Sequence, residues 1–326
     1  MKKTTLAELA RRAGCSLAQA SRALSGNGPV APELRRRIRA LAMQCNYRNL
    51  SNNHRPKIAI VCSKSFGFHD SRLIRSIMKH IDRHNWSCMI CPHDNLQLVR
   101  ELFIDGVIFI GHDNEYFAVN WPARSTLPLV VVNNFGNPLE DIYEIRPDQN
   151  DEHRLILAHL HNLGHSRIAR LFRTPQEASE RQNNNGSAAF FRQAGAMGLN
   201  EAESIIFHRE NELPIHIKRL LEKDFTAFLI VNQHLTLPAL HTFSILGKRI
   251  PEDVSIIGYE VEYVSEYLAP PLTTIDFDYE ELARLSVEKL AGLMQNHPFA
   301  KAEKLICVPN KLHIRASTSP VLSPND

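Results

Sequence analysis

No run of about 18 apolar residues occurs in the 326-residue chain, which leaves no candidate for a helix across a membrane. The opening Met1-Lys2-Lys3-Thr4-Thr5 turns amphipathic at once and lacks the apolar core of a secretory signal, so the expected location is the cytoplasm. Cysteine is sparse. Cys15, Cys45, Cys62, Cys88, Cys91 and Cys307 are scattered through a long chain and read as reduced thiols. The one CxxC, Cys88 to Cys91, lies in a segment that reads as a strand, where residues three apart point to opposite faces. A structural use is therefore expected for both. No Walker A loop, G-x-S-x-G elbow, H-E-x-x-H or calcium loop is present. His159, His161 and His165 crowd one helical stretch and are read as structural. Neither an enzyme nor a resident metal or cofactor is expected.

What is present suffices for two or three domains with sizeable cores: 44% of residues are hydrophobic and 22% charged. The net charge of +3 hides an asymmetry. Residues 1–55 hold eleven Lys/Arg against two Asp/Glu, while the remainder holds 27 against 33. A small basic head on a mildly acidic body suits contact with a polyanion; a merely solvated basic surface is the alternative.

The head reads as three helices. Thr5-Leu6-Ala7-Glu8 fits a capping box, and Leu6, Leu9, Ala10 and Ala13 then recur on one face. Gly14 supplies the positive φ that ends this helix. Ser16-Leu17-Ala18-Gln19 is a second capping box, opening a helix whose Ala20, Ala23 and Leu24 face inward. Leu17, Ala18, Ser21, Arg22 and Ser25 share the opposite face. A third helix follows Pro32, with Leu34, Ile38, Leu41, Ala42 and Cys45 as its stripe. Two short helices around a glycine turn, backed by a third, are a helix-turn-helix, whose second helix enters the major groove. Arg22 suits a bidentate contact to guanine, and Leu17 and Ala18 suit thymine methyls or base edges.

These residues resemble the LacI/GalR family of bacterial repressors. Thr5, Leu9-Ala10, Ala13-Gly14-Cys15-Ser16, Ala20-Ser21-Arg22 and Leu24 stand in register with that family's opening, and Asn46-Tyr47-Arg48 with its close. The resemblance implies that Leu17, Ala18 and Arg22 read bases and that Thr5, Leu6, Ser16, Ser21 and Tyr47 contact the backbone. It also implies a hinge helix whose leucine wedges the minor groove. Here Asn49-Leu50-Ser51-Asn52-Asn53-His54-Arg55-Pro56 is shorter, rich in Asn and ends in Pro. Asn and Ser favour turns, and only Leu50 could substitute for the wedge, so weak hinge character is expected.

From Lys57 the pattern alternates. Strands are expected at 58–61, 87–92, 106–110, 129–132, 168–172, 204–207, 228–231 and 255–259, with helical stretches between them. Such alternation means parallel sheets with helices on both faces, and two lobes in tandem leave a cleft beyond the strands' carboxyl ends. The resemblance continues through Leu163-Gly164-His165-Ser166-Arg167-Ile168, Pro251 to Tyr259 and Pro270 to Ile275. It implies the periplasmic-binding-protein fold: a helix-turn-helix at 1–48, a hinge at 49–57 and a body at 58–318. The first lobe would take about 58–147 and 276–303, the second about 148–275 and 304–318, with a tail at 319–326.

Cleft positions follow from the resemblance one at a time. Asp148, or Asp151 beside it, matches an acidic position at the lobe junction. Asn232 matches the asparagine of A-N-D, with Gln233 in place of the aspartate, and Glu260 replaces the aspartate after G-F/Y. Gly186 stands where an arginine is expected, with Arg181 able to reach in from a shifted loop. Phe68-His69-Asp70 occupies the place of a cleft wall. Carboxylates, Asn and Arg are groups that hold sugar hydroxyls. The expected function is a homodimeric repressor that binds a roughly palindromic double-stranded DNA operator under control of a small, sugar-like effector. The alternatives are a small-molecule-binding protein whose head has lost DNA affinity, and a regulator that no longer answers to a sugar. The tail, Ser317 to Asp326, is too short and proline-rich for a coiled coil, so assembly beyond a dimer is not expected.

Overall fold

The computed structural model describes residues 4–25, 28–45, 47, 55–62, 67–93, 98–99, 102, 104–111, 127–133, 142–173, 180–295 and 304–321. The head is three helices: α1 (Leu6–Ala13), α2 (Leu17–Ser25) and α3 (Pro32–Gln44). Thr5 caps α1, its hydroxyl accepting the Glu8 N–H at 3.2 Å, and Gly14 at φ 66° ends it in the left-handed region that glycine enters without strain. Ser16 and Gln19 close the second capping box reciprocally, Gln19 N–H to Ser16 Oγ at 3.2 Å and Ser16 N–H to Gln19 Oε1 at 3.0 Å. Small residues let the helices approach. Leu9, Ala13, Ala23, Ile38 and Ala42 form the core.

The body begins with β1 (Lys57–Cys62), α4 (Phe68–Arg83), β2 (Ser87–Pro92), β3 (Gly106–Ile110), β4 (Leu129–Val132) and β5 (Tyr143–Pro147). It continues with α5 (Gln149–Asn162), β6 (Ile168–Arg173), α6 (Glu180–Ala196), β7 (Glu203–Phe207), α7 (Leu213–Leu221), β8 (Ala227–Val231), α8 (Gln233–Ile245) and β9 (Ser255–Tyr259). It closes with β10 (Thr273–Phe277), α9 (Tyr279–Met294), β11 (Leu305–Val308) and β12 (Asn310–His313). The first sheet runs β11-β5-β4-β3-β1-β2 and the second β12-β10-β9-β8-β6-β7. All pairings are parallel except β10 with β12. Both faces of these strands are covered, which explains their unbroken Val and Ile runs. Ile60, set opposite Ile90 and Ile108, is fully buried, and such burial stabilises by about 1.5–3 kcal/mol per side chain.

Each expected strand is present. Cys88 packs against one core of the first lobe and Cys91 within the other, as expected for opposite faces of a strand. The lobe boundary needs one correction. Leu305–Val308 pairs with β5 in the first sheet, so the last crossing lies between β11 and β12, not at 304. The tail also begins later than expected. Val321 N–H bonds Leu163 O at 2.9 Å, and Ser319 bonds Ser255 and Pro251, so 319–321 belong to the second lobe. His165 sits in that corner, bonded to Thr226, Ser255 and the Ser319 carbonyl, and His159 bonds Thr318; these histidines are structural. Among the described residues no cluster of metal-ligating side chains occurs, and no helix is long and apolar enough to cross a membrane.

Candidate DNA-reading face and interlobe cleft

Ala20 and Ala23 anchor α2 to the head, so its other face stands clear. Leu17 is 54% exposed, and Ala18, Ser21, Arg22 and Ser25 are exposed beside it. Arg22 lies back along its own helix, Nε donating to Ala18 O at 3.2 Å, which leaves the two terminal nitrogens of its fork unbonded among the described residues. Thr5 and Ser16 are exposed, and Leu6 and Tyr47 half-buried at the edges. The eight residues named from the sequence therefore share one helix-turn-helix unit. Residues 48–54, which carry most of the hinge, lie outside the described residues.

The lobe junction is built from three crossings, and aspartates cap two of them. Asp148 Oδ1 accepts from Asn150 and Asp151 N–H at 2.9 and 3.2 Å, and Asp278 Oδ1 accepts from Glu281 N–H at 3.1 Å. The third crossing is tied to the first: Asn310 N–H bonds Asp151 Oδ2 at 2.9 Å and Asn310 Nδ2 bonds Asp148 O at 2.7 Å. Asp148 and Asp151, named as cleft ligands from the sequence, hold this hinge, and Asp151 also pairs with Arg154 at 2.6 Å.

The strand ends face one another across the cleft. His69, in the first turn of α4, donates its backbone N–H to Gln233 Oε1 at 3.2 Å, and Gln233 Nε2 donates to Glu260 O at 2.7 Å. The first of these bonds links the lobes. The His69 ring is 2.6 Å from the Tyr279 hydroxyl, hydrogen-bonds Asn133, and meets the edge of Phe277. Asn133 follows β4 at φ 60°, fully buried, and its Oδ1 has no hydrogen-bond partner among the described residues. Arg72 grips Asp276 through two bonds of 2.8 and 3.2 Å and lies 4.3 Å from the Tyr279 ring centre, while Arg75 bonds Glu262 at 2.8 Å.

Other residues named for the cleft are partly taken up by the scaffold. Asp70 accepts from Gly67 N–H at 3.2 Å. Asn232, at φ 105°, donates to Arg173 O at 3.1 Å where β8 and β6 end. Glu260 is nearly buried and bonded by Arg315 at 2.8 Å and by Thr274. The Arg181 side chain lies outside the described residues.

A buried polar group behind the cleft floor was not expected. Glu152 accepts a hydrogen bond from the Tyr259 hydroxyl. Burial pushes its carboxyl up to about 7 despite that bond and despite Arg170 nearby. His153, beside it, is held down to about 3 by burial and by Arg170. The Tyr259 hydroxyl is raised by burial and by the Glu152 charge. The sequence signals were a Glu-His pair on the inner face of α5 and an arginine inside the apolar strand Ile168-Ala169-Arg170-Leu171-Phe172.

Known proteins resemble this chain along nearly its whole length. The profile of the periplasmic binding protein-like domain matches residues 157–318. HTH-type transcriptional regulator DegA of Bacillus subtilis (strain 168) is 26% identical over 98% of this chain and 99% of its own. The lac repressor dimer bound to operator and the anti-inducer ONPF is 22% identical with a TM-score of 0.69, covering 98% of this chain and all of that one. The transcriptional regulator CelR–cellobiose complex is 20% identical with a TM-score of 0.66, over 97% of this chain and all of that one.

Proposed function

We propose that this chain, which belongs to the LacI/GalR family of transcriptional regulators, is a homodimeric repressor that reads a roughly palindromic operator and is controlled by a small polar ligand held between its lobes. The observation that carries the DNA half is the outer face of α2: small, exposed, with a guanidinium fork free to meet a guanine edge. Leu17, Ala18 and Arg22 read bases; Thr5, Leu6, Ser16, Ser21 and Tyr47 hold the sugar-phosphate backbone. A dimer places two such faces on half-sites related by its two-fold axis.

The ligand half rests on the facing strand ends. Asn133 Oδ1 is a buried acceptor without a partner among the described residues, and Asn232, Asp70 and Glu260 are the further groups proposed to meet the ligand. A similar fold holds cellobiose in CelR and operator in the lac repressor, which makes a sugar-like effector and a DNA target the reading favoured here. The work is done in the cytoplasm. Residues 1–48, 49–57 and the two-lobed remainder act as reader, linker and sensor. Because the linker offers only Leu50 as a wedge, the operator is bent less than a full hinge helix would bend it, avoiding a smooth-bending cost of order 1–6 kcal/mol.

Selection of genomic fragments by the purified full-length chain, followed by footprinting, tests this. Protected sites should be inverted repeats, and one small polar metabolite should change their affinity. Protection without two-fold symmetry, or no retained fragment, would remove the proposal. The alternative of a ligand-binding protein without DNA affinity predicts the second outcome together with a metabolite-dependent rise in melting temperature.

A further inference from the structure

Arg170 is a buried charge with no ion-pair partner among the described residues. It projects from the middle of β6 onto the face covered by α5 and α6 and is 4% exposed. Its Nη1 donates to Ser187 Oγ at 3.3 Å and Ser204 Oγ at 3.2 Å, its Nε has no hydrogen-bond partner, and no carboxylate lies within ion-pair distance among the described residues. Burying a charge unpaired costs several kcal/mol, so a fold that keeps one needs a reason. Burial presses on the guanidinium, lowering its proton affinity, and only Tyr259 and Glu152 oppose this.

The surroundings supply donors. The two serine hydroxyls are 3.0 Å apart, so one proton is used between them, and both accept from Arg170. Position 186 is glycine, and a Cβ there would lie 2.6 Å from Nη2 of Arg170 and 3.7 Å from Nε2 of Gln149. Any side chain at 186 would press on the guanidinium, and the glycine leaves it room. The cluster lies behind the cleft floor. The guanidinium carbon stands 5.1 Å from the Phe172 ring centre, towards the carboxyl end of β6. Gln149 opens α5 at the lobe junction, and half-exposed Tyr259 ends β9 on the cleft floor.

We propose that Arg170, with Ser187, Ser204 and Gln149, forms a subsite for an anionic group, carboxylate or phosphate, on the effector. A guanidinium fork with hydroxyl and amide donors matches the oxygens of either group. The neutral end of the ligand then faces Asn133 and Asn232. The inference rests on the cleft being the effector site, as proposed above, and adds that the effector is a sugar acid or sugar phosphate, not a neutral sugar.

The test uses the full-length chain and matched probes: ribose, ribonate and ribose 5-phosphate, and glucose, gluconate and glucose 6-phosphate. At least one anionic probe should raise the melting temperature and bind at least about tenfold tighter than its neutral partner, and the acid and phosphate arms separate the two chemistries. In Arg170→Met that preference should vanish while the unliganded melting temperature stays level or rises, because an unpaired buried charge has been replaced by an apolar chain of similar length. Gly186→Ala should erode the same preference. Equal binding of neutral and anionic probes, binding of neither, or an anion preference that survives Arg170→Met overturns the inference. So does a large drop in melting temperature in Arg170→Met with the preference intact in Gly186→Ala, the signature of a purely structural arginine. Operator binding by the same samples keeps the two readings apart: it persists if only the anion subsite is wrong and is missing if the regulator itself is.

Discussion

The head and the cleft carry function in opposite ways. In the head, the residues proposed to read bases stand exposed on one face of α2, while alanines on its other face pack into the core with a few large side chains. At the lobe junction, polar groups are bonded to one another, and the same side chains hold the lobes together. The difference teaches that the exposed face of α2 can be altered at little cost to folding, whereas a junction residue changed to test a proposed ligand contact also disturbs a hinge or a cap.

The largest effect should come from breaking the head's separation of core and face. Leu9→Ala empties a fully buried position in a core of few residues, so it should cost about 2–5 kcal/mol. Circular dichroism should show the head melting early with the body's transition unchanged, and operator binding should be lost.

Next is the coupled chemistry of the cleft floor. The Glu152 carboxyl is held near 7 in the fold against an ordinary value of 4.5. The native state therefore keeps a proton that the unfolded chain has released. Its stabilising effect is present at low pH and is lost as pH rises from 4.5 through 7, a change of about 3 kcal/mol. His153, held near 3 against 6.5, acts in the opposite sense, costing stability as pH falls between those values. Urea unfolding of wild type and Glu152→Gln across pH 4 to 8, about the range of these two groups, should show wild type losing ground to the variant as pH rises. Parallel curves would show that the carboxyl titrates as it does in water.

The smallest effect is on the reading face. Leu17→Ala should change stability by no more than about 0.5 kcal/mol, since the side chain is 54% exposed. Operator affinity should still fall, measured by fluorescence anisotropy on the selected site.

The same contrast explains what could be read from the chain. Capping boxes, Gly14 and the spacing of Leu9, Ala13, Ala20 and Ala23 are local signals, and the head follows from them. The buried strands announced themselves by β-branched runs. β5 did not, because Tyr143-Glu144-Ile145-Arg146-Pro147 hides a buried Glu144 bonded to Arg146, and such pairs look like surface in sequence. β11 escaped for another reason: its pairing with β5 is set by a crossing more than 150 residues later, which no local pattern records. At the lobe junction, sequence places residues but not their roles. Asn232 and Glu260 fall where strands end, but Asp148 and Asp151 were read as ligands because an N-cap and a binding carboxylate use the same residue type. Arg170 and Glu152 were missed because charged residues on inner faces break the pattern that locates inner faces.

The central claim is that Arg22 reads a base from an otherwise unencumbered face, and a double-mutant cycle tests it directly. Wild type and Arg22→Ala are titrated against the selected operator and against variants with each half-site base pair replaced in turn. Wild type should lose about 1–3 kcal/mol at one guanine position, Arg22→Ala should lose the same on the unaltered site, and the two losses should not add. If Arg22→Ala weakens binding evenly at every sequence, or leaves it unchanged, the arginine does not read a base and α2 is not the recognition helix.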